Sequence, residues 1–239
     1  MTALVIVPTY NERTNLPVLV AGLMSHADVR VMVVDDQSPD GTGEVADALA
    51  RQYPGRIDVM HRTGKRGFGR SYIDGIGKAI HEAVDVICQM DADLSHDPKH
   101  LPNLLAAAVN ADVVIGSRYV PGGAIVNWPK RRRLLSRFAN VYIREITRLS
   151  ARDCTSGYRC WRREALGALS LDAFTSDGYS FLVEMLYAAS RAGCRLAEVP
   201  ITFVERRLGE SKLSSAVLFE SAITPWRLIA TKDVRRAKV

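Results

Sequence analysis

Short, mostly apolar runs alternate with longer stretches of helical periodicity through the first half of the chain. The runs are Leu4 to Val7, Val31 to Val34, Ile57 to Met60, Val84 to Cys88 and Asp112 to Ile115, and their β-branched content fits strands buried on both faces. Between them, Arg13 to Ser25, Glu44 to Tyr53, Ser71 to Ala83 and Pro98 to Val109 read as helices. Strands alternating with helices at this spacing predict βαβ units and an α/β fold, a mostly parallel, Rossmann-like sheet with flanking helices.

After Ile115 the pattern changes. Gly116-Ser117-Arg118-Tyr119-Val120-Pro121-Gly122-Gly123 is loop-like, and Asn127-Trp128-Pro129-Lys130-Arg131-Arg132-Arg133 opens a segment that runs to about Ser150. Leu134, Leu135, Phe138, Val141, Tyr142 and Ile146 recur there at helical spacing, with arginines gathered at the start. A basic start beside apolar and aromatic residues suits a helix lying on a membrane surface. A surface helix that docks its apolar stripe on the sheet suits the same pattern, and both readings stand. Further helices are expected from Arg163 and from about Asp177 to Ala192, while Leu196 to Val204 is strand-like but broken by Pro200, which places it near a sheet edge. The polar loop Glu205 to Lys212 has a glycine hinge and cations at both ends, a composition suited to closing over a bound anion. Leu213 to Ala230 mixes Val217, Leu218, Trp226 and Ile229 with polar residues, and is a second segment that could graze a bilayer.

With 239 residues, 47% hydrophobic and 24% charged, the chain has material for one α/β domain with a sizeable core, expected over 1–230 and followed by a short basic tail, 231–239. No apolar run approaches the length of a membrane-spanning helix, and strand-like sequence begins at Ala3, so no signal peptide is expected and the cytoplasm is the expected location. Cys88, Cys154, Cys160 and Cys194 form no Cys-x-x-Cys pair and are expected to be reduced, mostly packing residues. The net charge of +6 is concentrated: Lys130 to Glu164 holds eleven Lys or Arg against three acids, +8, leaving −2 for the rest. A local basic face implies an anionic partner, whether nucleic acid, acidic lipid or a phosphorylated substrate.

The chemistry gathers at Gln89-Met90-Asp91-Ala92-Asp93-Leu94-Ser95-His96, directly after the strand Val84 to Cys88. Open α/β sheets bind ligands at the carboxyl ends of their strands. Two aspartates one residue apart, on chain that has left the sheet, can converge on one hard divalent cation, which is then placed to bridge a diphosphate. The plainer alternative is a solvated turn in which Asp93 or Ser95 caps the helix that Pro98 opens. Asp36, at the end of the second strand, offers an acceptor-only carboxylate to a ribose or base edge, and Glu12 offers another from the first. Gly64-Lys65-Arg66-Gly67-Phe68-Gly69-Arg70 supplies flexible backbone and cations, but neither the Gly-x-Gly-x-x-Gly spacing nor a P-loop ending, which argues against a dehydrogenase and an ATPase. Asp177 or Glu184 would serve as a base if the acceptor were a sugar hydroxyl; a helix cap and an ion pair are the plainer readings.

Pro8-Thr9-Tyr10-Asn11-Glu12, Val33-Val34-Asp35-Asp36, Asp91-Ala92-Asp93, Gly116-Ser117-Arg118-Tyr119 and the Arg206 to Lys212 loop occur in this order. In them the chain resembles family 2 glycosyltransferases of the dolichol-phosphate (polyprenol-phosphate) mannose synthase type, over nearly its whole length. The first three motifs resemble those of many GT-A transferases, whereas the Gly-Ser-Arg-Tyr loop, Asn-Trp-Pro-Lys-Arg-Arg-Arg and the final loop point to the lipid-phosphate branch. The resemblance implies a GT-A fold and inverting transfer of mannose from GDP-mannose to a polyprenyl (dolichyl) phosphate, by a peripheral short form at the cytoplasmic membrane face. Carried over by motif, Pro8, Tyr10, Glu12 and Asp36 hold the guanosine, with Lys65 and Ala92 beside them against the donor. Asp91 and Asp93 hold Mg²⁺ or Mn²⁺, and Arg206 and Lys212 the diphosphate. Arg118, Arg132 and Arg133 take the acceptor phosphate, so that Asp93, Arg118, Arg206 and Lys212 stand nearest the chemistry. Some members have Gln where this chain has Ser95, so a third metal ligand is not implied there. The resemblance leaves room for a separate membrane-anchoring subunit and expects no nucleic-acid partner.

A phosphate monoester is already anionic at neutral pH, so such an acceptor needs no general base, and positioning with charge stabilisation carries the catalysis. Two other readings remain. One is the same chemistry with a UDP-sugar such as UDP-glucose; the other is a nucleic-acid-binding module built on the arginine-rich segment, which accounts for the charge but not for the paired aspartates.

Overall fold

Valine, isoleucine and leucine runs build the strands of the chain, and amphipathic stretches between them build the helices that cover the sheet. The structure is a computed structural model that describes residues 1–176, 178–205 and 215–230. Its strands are β1 (Ala3–Thr9), β2 (Val29–Asp35), β3 (Ile57–His61), β4 (Val86–Gln89), β5 (Val113–Ser117), β6 (Ala124–Val126), β7 (Arg159–Arg162), β8 (Leu196–Pro200) and β9 (Thr202–Val204). Its helices are α1 (Leu16–Met24), α2 (Thr42–Gln52), α3 (Phe68–Ala79), α4 (Leu101–Ala107), α5 (Lys130–Thr147), α6 (Arg163–Gly167), α7 (Gly178–Arg191) and α8 (Ser215–Ala230). The main sheet runs β3-β2-β1-β4-β7-β5-β8, and β6 pairs with β9 in a separate ribbon.

Side chains of β1 alternate between two cores, as strand geometry requires. Leu4 and Ile6 face Tyr72 and Ile76 of α3 and, beyond them, Phe181 of α7. Val5 and Val7 face Leu16, Leu19 and Leu23 of α1 and Leu101 and Leu104 of α4. All of these are fully buried, each worth about 1.5–3 kcal/mol of transfer free energy. Gly75 lets α3 approach, because a Cβ there would stand 2.9 Å from Ile6 and 3.0 Å from Val34.

Strand order reverses between β1 and β4, since β2 and β3 extend one way and β4 the other. Ligand crevices of open α/β sheets form at this switch, outside the carboxyl ends of the strands. The loops after β1 and β4, which hold Tyr10, Glu12, Asp91 and Asp93, therefore flank it.

β7 enters antiparallel between β4 and β5. Its sequence, Arg-Cys-Trp-Arg, carries no strand-like apolar run, and its place is secured by long-range contacts. Trp161 is fully buried and donates its indole N–H to Gln89 Oε1 at 2.8 Å. The same pairing corrects the expectation of four reduced cysteines: Cys88 and Cys160 lie opposite each other with Cα atoms 4.2 Å apart and form a disulfide. Their separation of 72 residues hid this facing position from the sequence. Cys154 and Cys194 are free. β8 lies at the sheet edge and ends at Pro200, as expected. The turn opened by Pro98 is capped by Asp97, whose side chain accepts from Lys99 N–H at 3.0 Å, and not by Asp93 or Ser95. The tail 231–239 lies outside the described residues.

Candidate functional site

The loops after β1, β2 and β4 each turn through a non-glycine residue of positive φ: Asn11 at 61°, Gln37 at 61° and Leu94 at 62°. Such backbone is costly for a leucine and persists where the surroundings enforce it, a pattern concentrated at ligand sites. These three loops form the first half of the site.

Asp36 is buried there. One of its oxygens accepts from Arg62, and the other accepts from Gly67 N–H at 2.8 Å. Arg62 also donates to Asp74 at 2.7 Å and to the Lys65 carbonyl at 3.1 Å, so it ties the Gly64 to Gly67 turn to the end of β2. Sequence reading passed over Arg62, which has no motif around it. Tyr10 lies under Arg66, its hydroxyl 2.6 Å from Nη1 and its ring centroid 5.0 Å from the guanidinium carbon. Glu12 accepts from the Asn15 side chain at 2.8 Å. Pro8 is partly buried in β1 and Lys65 is exposed on its turn.

Asp91 and Asp93 line a cavity of about 490 Å³ that continues past Arg118 and Arg132 to Phe138, Tyr142 and Pro225. Ala92 between them is buried. Asp93 accepts from Ser95 N–H at 3.1 Å, and Asp91 accepts from the Tyr72 hydroxyl at 3.4 Å. Burial, followed by the neighbouring charge of Asp91, pushes the Tyr72 phenol well above its usual pKa, so it remains a donor. His96 is buried and its Nδ1 accepts from Asp91 N–H at 3.1 Å, which leaves that nitrogen acting as acceptor and not as a proton donor to the Asp91 carboxylate 3.7 Å away.

The residues present fit a hard divalent cation. Among the described residues no group of three or more His, Cys, Asp or Glu side chains is placed to hold a metal ion, and Asp91 and Asp93 are the two carboxylates of the loop after β4 that line the cavity. Mg²⁺-type ions accept one or two carboxylates and complete their shell with water and substrate phosphate. Gly157 keeps the space above Asp91 open, since a Cβ there would lie 3.3 and 3.4 Å from its two carboxylate oxygens. Gly157 is held by Arg159, a fully buried arginine that donates to the carbonyls of Cys154, Ser156 and Leu182 at 2.6–2.8 Å. Burial lowers the Arg159 pKa to about 10, which still leaves it charged at neutral pH.

At the middle of the cavity Arg118 is 8% exposed and bidentate to Asp153, Nε and Nη2 each 2.7 Å from a carboxylate oxygen. Nη2 also donates to Thr155 Oγ1 at 2.8 Å. The fork expected to grip a phosphate is thus closed on a carboxylate along one edge. Burial pushes the Asp153 carboxyl up, but the charge and hydrogen bonds of Arg118 together hold it below the usual carboxylate range. Arg132 also lines the cavity, lies over the Trp128 ring at 4.1 Å and is ion-paired with Glu205. Arg133 is exposed on α5 and does not line the cavity. Arg206, Lys212 and Asp177 lie outside the described residues. Glu184 is buried in α7 and accepts from the backbone N–H groups of Thr175 and Ser176 at 3.3 and 3.0 Å, which ties that loop to the helix.

The far end of the cavity lies between α5 and α8. Both helices leave large apolar residues in the open: Leu134 is 71% exposed, Phe138 65% and Trp226 55%. No helix among the described residues is long and apolar enough to cross a membrane.

Residues 4–169 match the model of glycosyl transferase family 2. The chain is 46% identical to an undecaprenyl-phosphate mannosyltransferase of Micrococcus luteus, over 100% of this chain and 99% of the relative. It is also 46% identical to a polyprenol monophosphomannose synthase of Mycolicibacterium smegmatis, over 99% of this chain and 91% of the relative. Among solved structures, glucosyl-3-phosphoglycerate synthase of Mycobacterium tuberculosis with Mn²⁺, UDP-glucose and phosphoglyceric acid superposes with a TM-score of 0.68 at 16% identity, covering 97% of this chain and 81% of that one. At that identity the likeness speaks for the fold alone.

Proposed function

We propose that this chain, which belongs to glycosyl transferase family 2 and is a glycosyltransferase, moves mannose from GDP-mannose to a polyprenyl phosphate with inversion, at the cytoplasmic face of a membrane. The observation that carries the reading is the cavity itself, which has carboxylates at one end, arginines in the middle and an apolar floor between α5 and α8. A lipid monophosphate matches the last two, its anionic head the arginines and its chain the apolar floor, and the carboxylates are left for a cation on the donor diphosphate. The full-length identity to relatives named for mannosyl transfer to lipid phosphates supports the acceptor and the sugar.

In this reading Tyr10, Glu12 and Asp36 hold the nucleoside, with Asp36 fixed by Arg62, and Pro8, Lys65 and Ala92 pack beside the donor. Asp91 and Asp93 hold Mg²⁺ or Mn²⁺ against the diphosphate. The cation, when bound, offsets charge growing on the departing nucleoside diphosphate. Arg206 and Lys212 join that task on the grounds of the sequence motif. Arg132, together with Arg118, aligns the acceptor phosphate oxygen behind the anomeric carbon. That oxygen is already an anion, so no side chain has to remove a proton. The basic start of α5 and the apolar surface of α5 and α8 hold the protein against anionic lipid.

The test is transfer of radiolabelled sugar from GDP-mannose and, in parallel, UDP-glucose into organic-extractable lipid, with polyprenyl phosphate, with and without divalent metal. Metal-dependent labelling from GDP-mannose alone is expected. Labelling from UDP-glucose would keep the acceptor and overturn the donor. Absence of lipid labelling together with salt-sensitive retention on nucleic acid would return the basic segment to the nucleic-acid reading.

A further inference from the structure

Both arginines of the cavity carry a carboxylate partner, and the two partners differ in kind. Asp153 is wholly buried and grips Arg118 through two side-chain bonds of 2.7 Å and a backbone bond of 3.0 Å. Opening that pair would strand a charge in the interior. Glu205 meets Arg132 at Nη1 in a pair whose side chains are 31% and 19% exposed. A partly exposed pair of this sort opens at less cost than the buried one. Arg132 would not be lost with it, because its guanidinium rests on the Trp128 ring at 4.1 Å. Glu205 in turn sits at the end of β9, its backbone N–H donating to the Val126 carbonyl at 3.2 Å, so its carboxylate is delivered by anchored backbone.

We propose that Glu205 is a specificity-determining residue: its carboxylate stands on Arg132 in competition with the acceptor phosphate, so that only an anion stronger than a carboxylate takes its place. The inference rests on the polyprenyl-phosphate reading above. A phosphate monoester carries about −1.5 to −2 at pH 7 and three strong acceptor oxygens. A phospholipid diester carries a single charge, and an alcohol none. An enzyme that draws a lipid monophosphate from a bilayer meets diester headgroups in excess, and an internal carboxylate on Arg132 sets a threshold that the monoester clears and the diester does not. Discrimination of this type works by placing a repulsive or competing group against the wrong ligand.

The experiment compares the full chain with Glu205→Gln and Glu205→Ala, folding of each checked by thermal melting. Equilibrium binding of farnesyl phosphate is measured directly, and mannose transfer to polyprenyl phosphate is measured in neutral detergent with rising phosphatidylglycerol. Both variants are expected to bind farnesyl phosphate about two- to fivefold more tightly, to show an acceptor KM lower by the same factor, and to be inhibited by phosphatidylglycerol at several-fold lower concentration. Adding Arg132→Gln to Glu205→Gln should abolish the gain. Weaker farnesyl phosphate binding in the Glu205 variants would overturn the proposal and make Glu205 a residue that merely orients Arg132; unchanged binding with unchanged inhibition would overturn it as well. If no protein transfers mannose while the binding gain persists, the mannosyl-transfer reading fails and the competition on Arg132 stands.

Discussion

Gly157 and Asp153 show how single positions around the cavity are constrained by what faces them. A methyl group at Gly157 would press on both oxygens of Asp91, the carboxylate proposed to hold the metal, and on the His96 ring beside it. Gly157→Ala is therefore expected to raise the Mn²⁺ concentration for half-maximal transfer about tenfold, as disturbed surroundings of metal ligands do, with little change in melting temperature; an unchanged metal titration would refute the role. Asp153 carries the opposite kind of constraint, since it is buried against a charge. Asp153→Asn leaves Arg118 without its counter-charge and is expected to cost about 3–5 kcal/mol in urea unfolding at pH 7. The sign of the pH dependence follows from the carboxyl held below its usual range. The stabilisation is fully present above the ordinary aspartate value of about 3.9, and is lost as pH falls through the depressed folded-state value. The gap between wild type and Asp153→Asn should therefore close below about pH 4, and a gap that stays constant down to pH 2 would contradict the assignment.

Strand β7 and the turn before it act as one element, held by an arginine whose whole fork is spent on backbone. Arg159→Leu would keep most of the volume and leave the carbonyls of Cys154, Ser156 and Leu182 without their donor. Each such buried acceptor costs about 1–3 kcal/mol, so a loss of at least about 3 kcal/mol is expected in denaturant unfolding, together with lower turnover through the displaced Gly157. This element was also the least legible in the sequence. β1, β2, β4 and β5 were readable because both faces of each are buried and most of their positions are therefore apolar. Arg159-Cys160-Trp161-Arg162 breaks that rule: its arginine is satisfied by chain carbonyls and its tryptophan by Gln89, partners 3 to 72 residues away. Asp91, Asp93, Arg118 and Arg132 were legible as residue types at strand and helix ends. Their carboxylate partners Asp153 and Glu205 were not, because a lone acid in a polar loop looks the same whether it faces water or a buried guanidinium.

At the scale of the whole molecule, the cavity and the exposed helices α5 and α8 have to serve one geometry. A lipid whose phosphate lies at Arg132 must carry its chain out between these helices, where the surface is already apolar and Arg131, Arg133 and Arg137 are exposed beside it. Leu134 and Ile229 stand on this surface, 71% and 41% exposed, and neither lines the cavity. Replacing both by glutamate should leave melting temperature unaltered. Full burial of each in a bilayer interface is worth about 1.5–3 kcal/mol, so co-sedimentation with anionic vesicles is expected to fall at least about tenfold. The residual binding should weaken further with salt, since the arginines contribute about 1 kcal/mol each near an anionic surface and are screened over roughly 10 Å at 0.1 M. Transfer to farnesyl phosphate in detergent, which needs no bilayer, should persist in the same variant. Equal loss on vesicles and in detergent would mean that the two helices shape the cavity without meeting a membrane, and vesicle binding unmoved by the substitutions would assign membrane contact to another face.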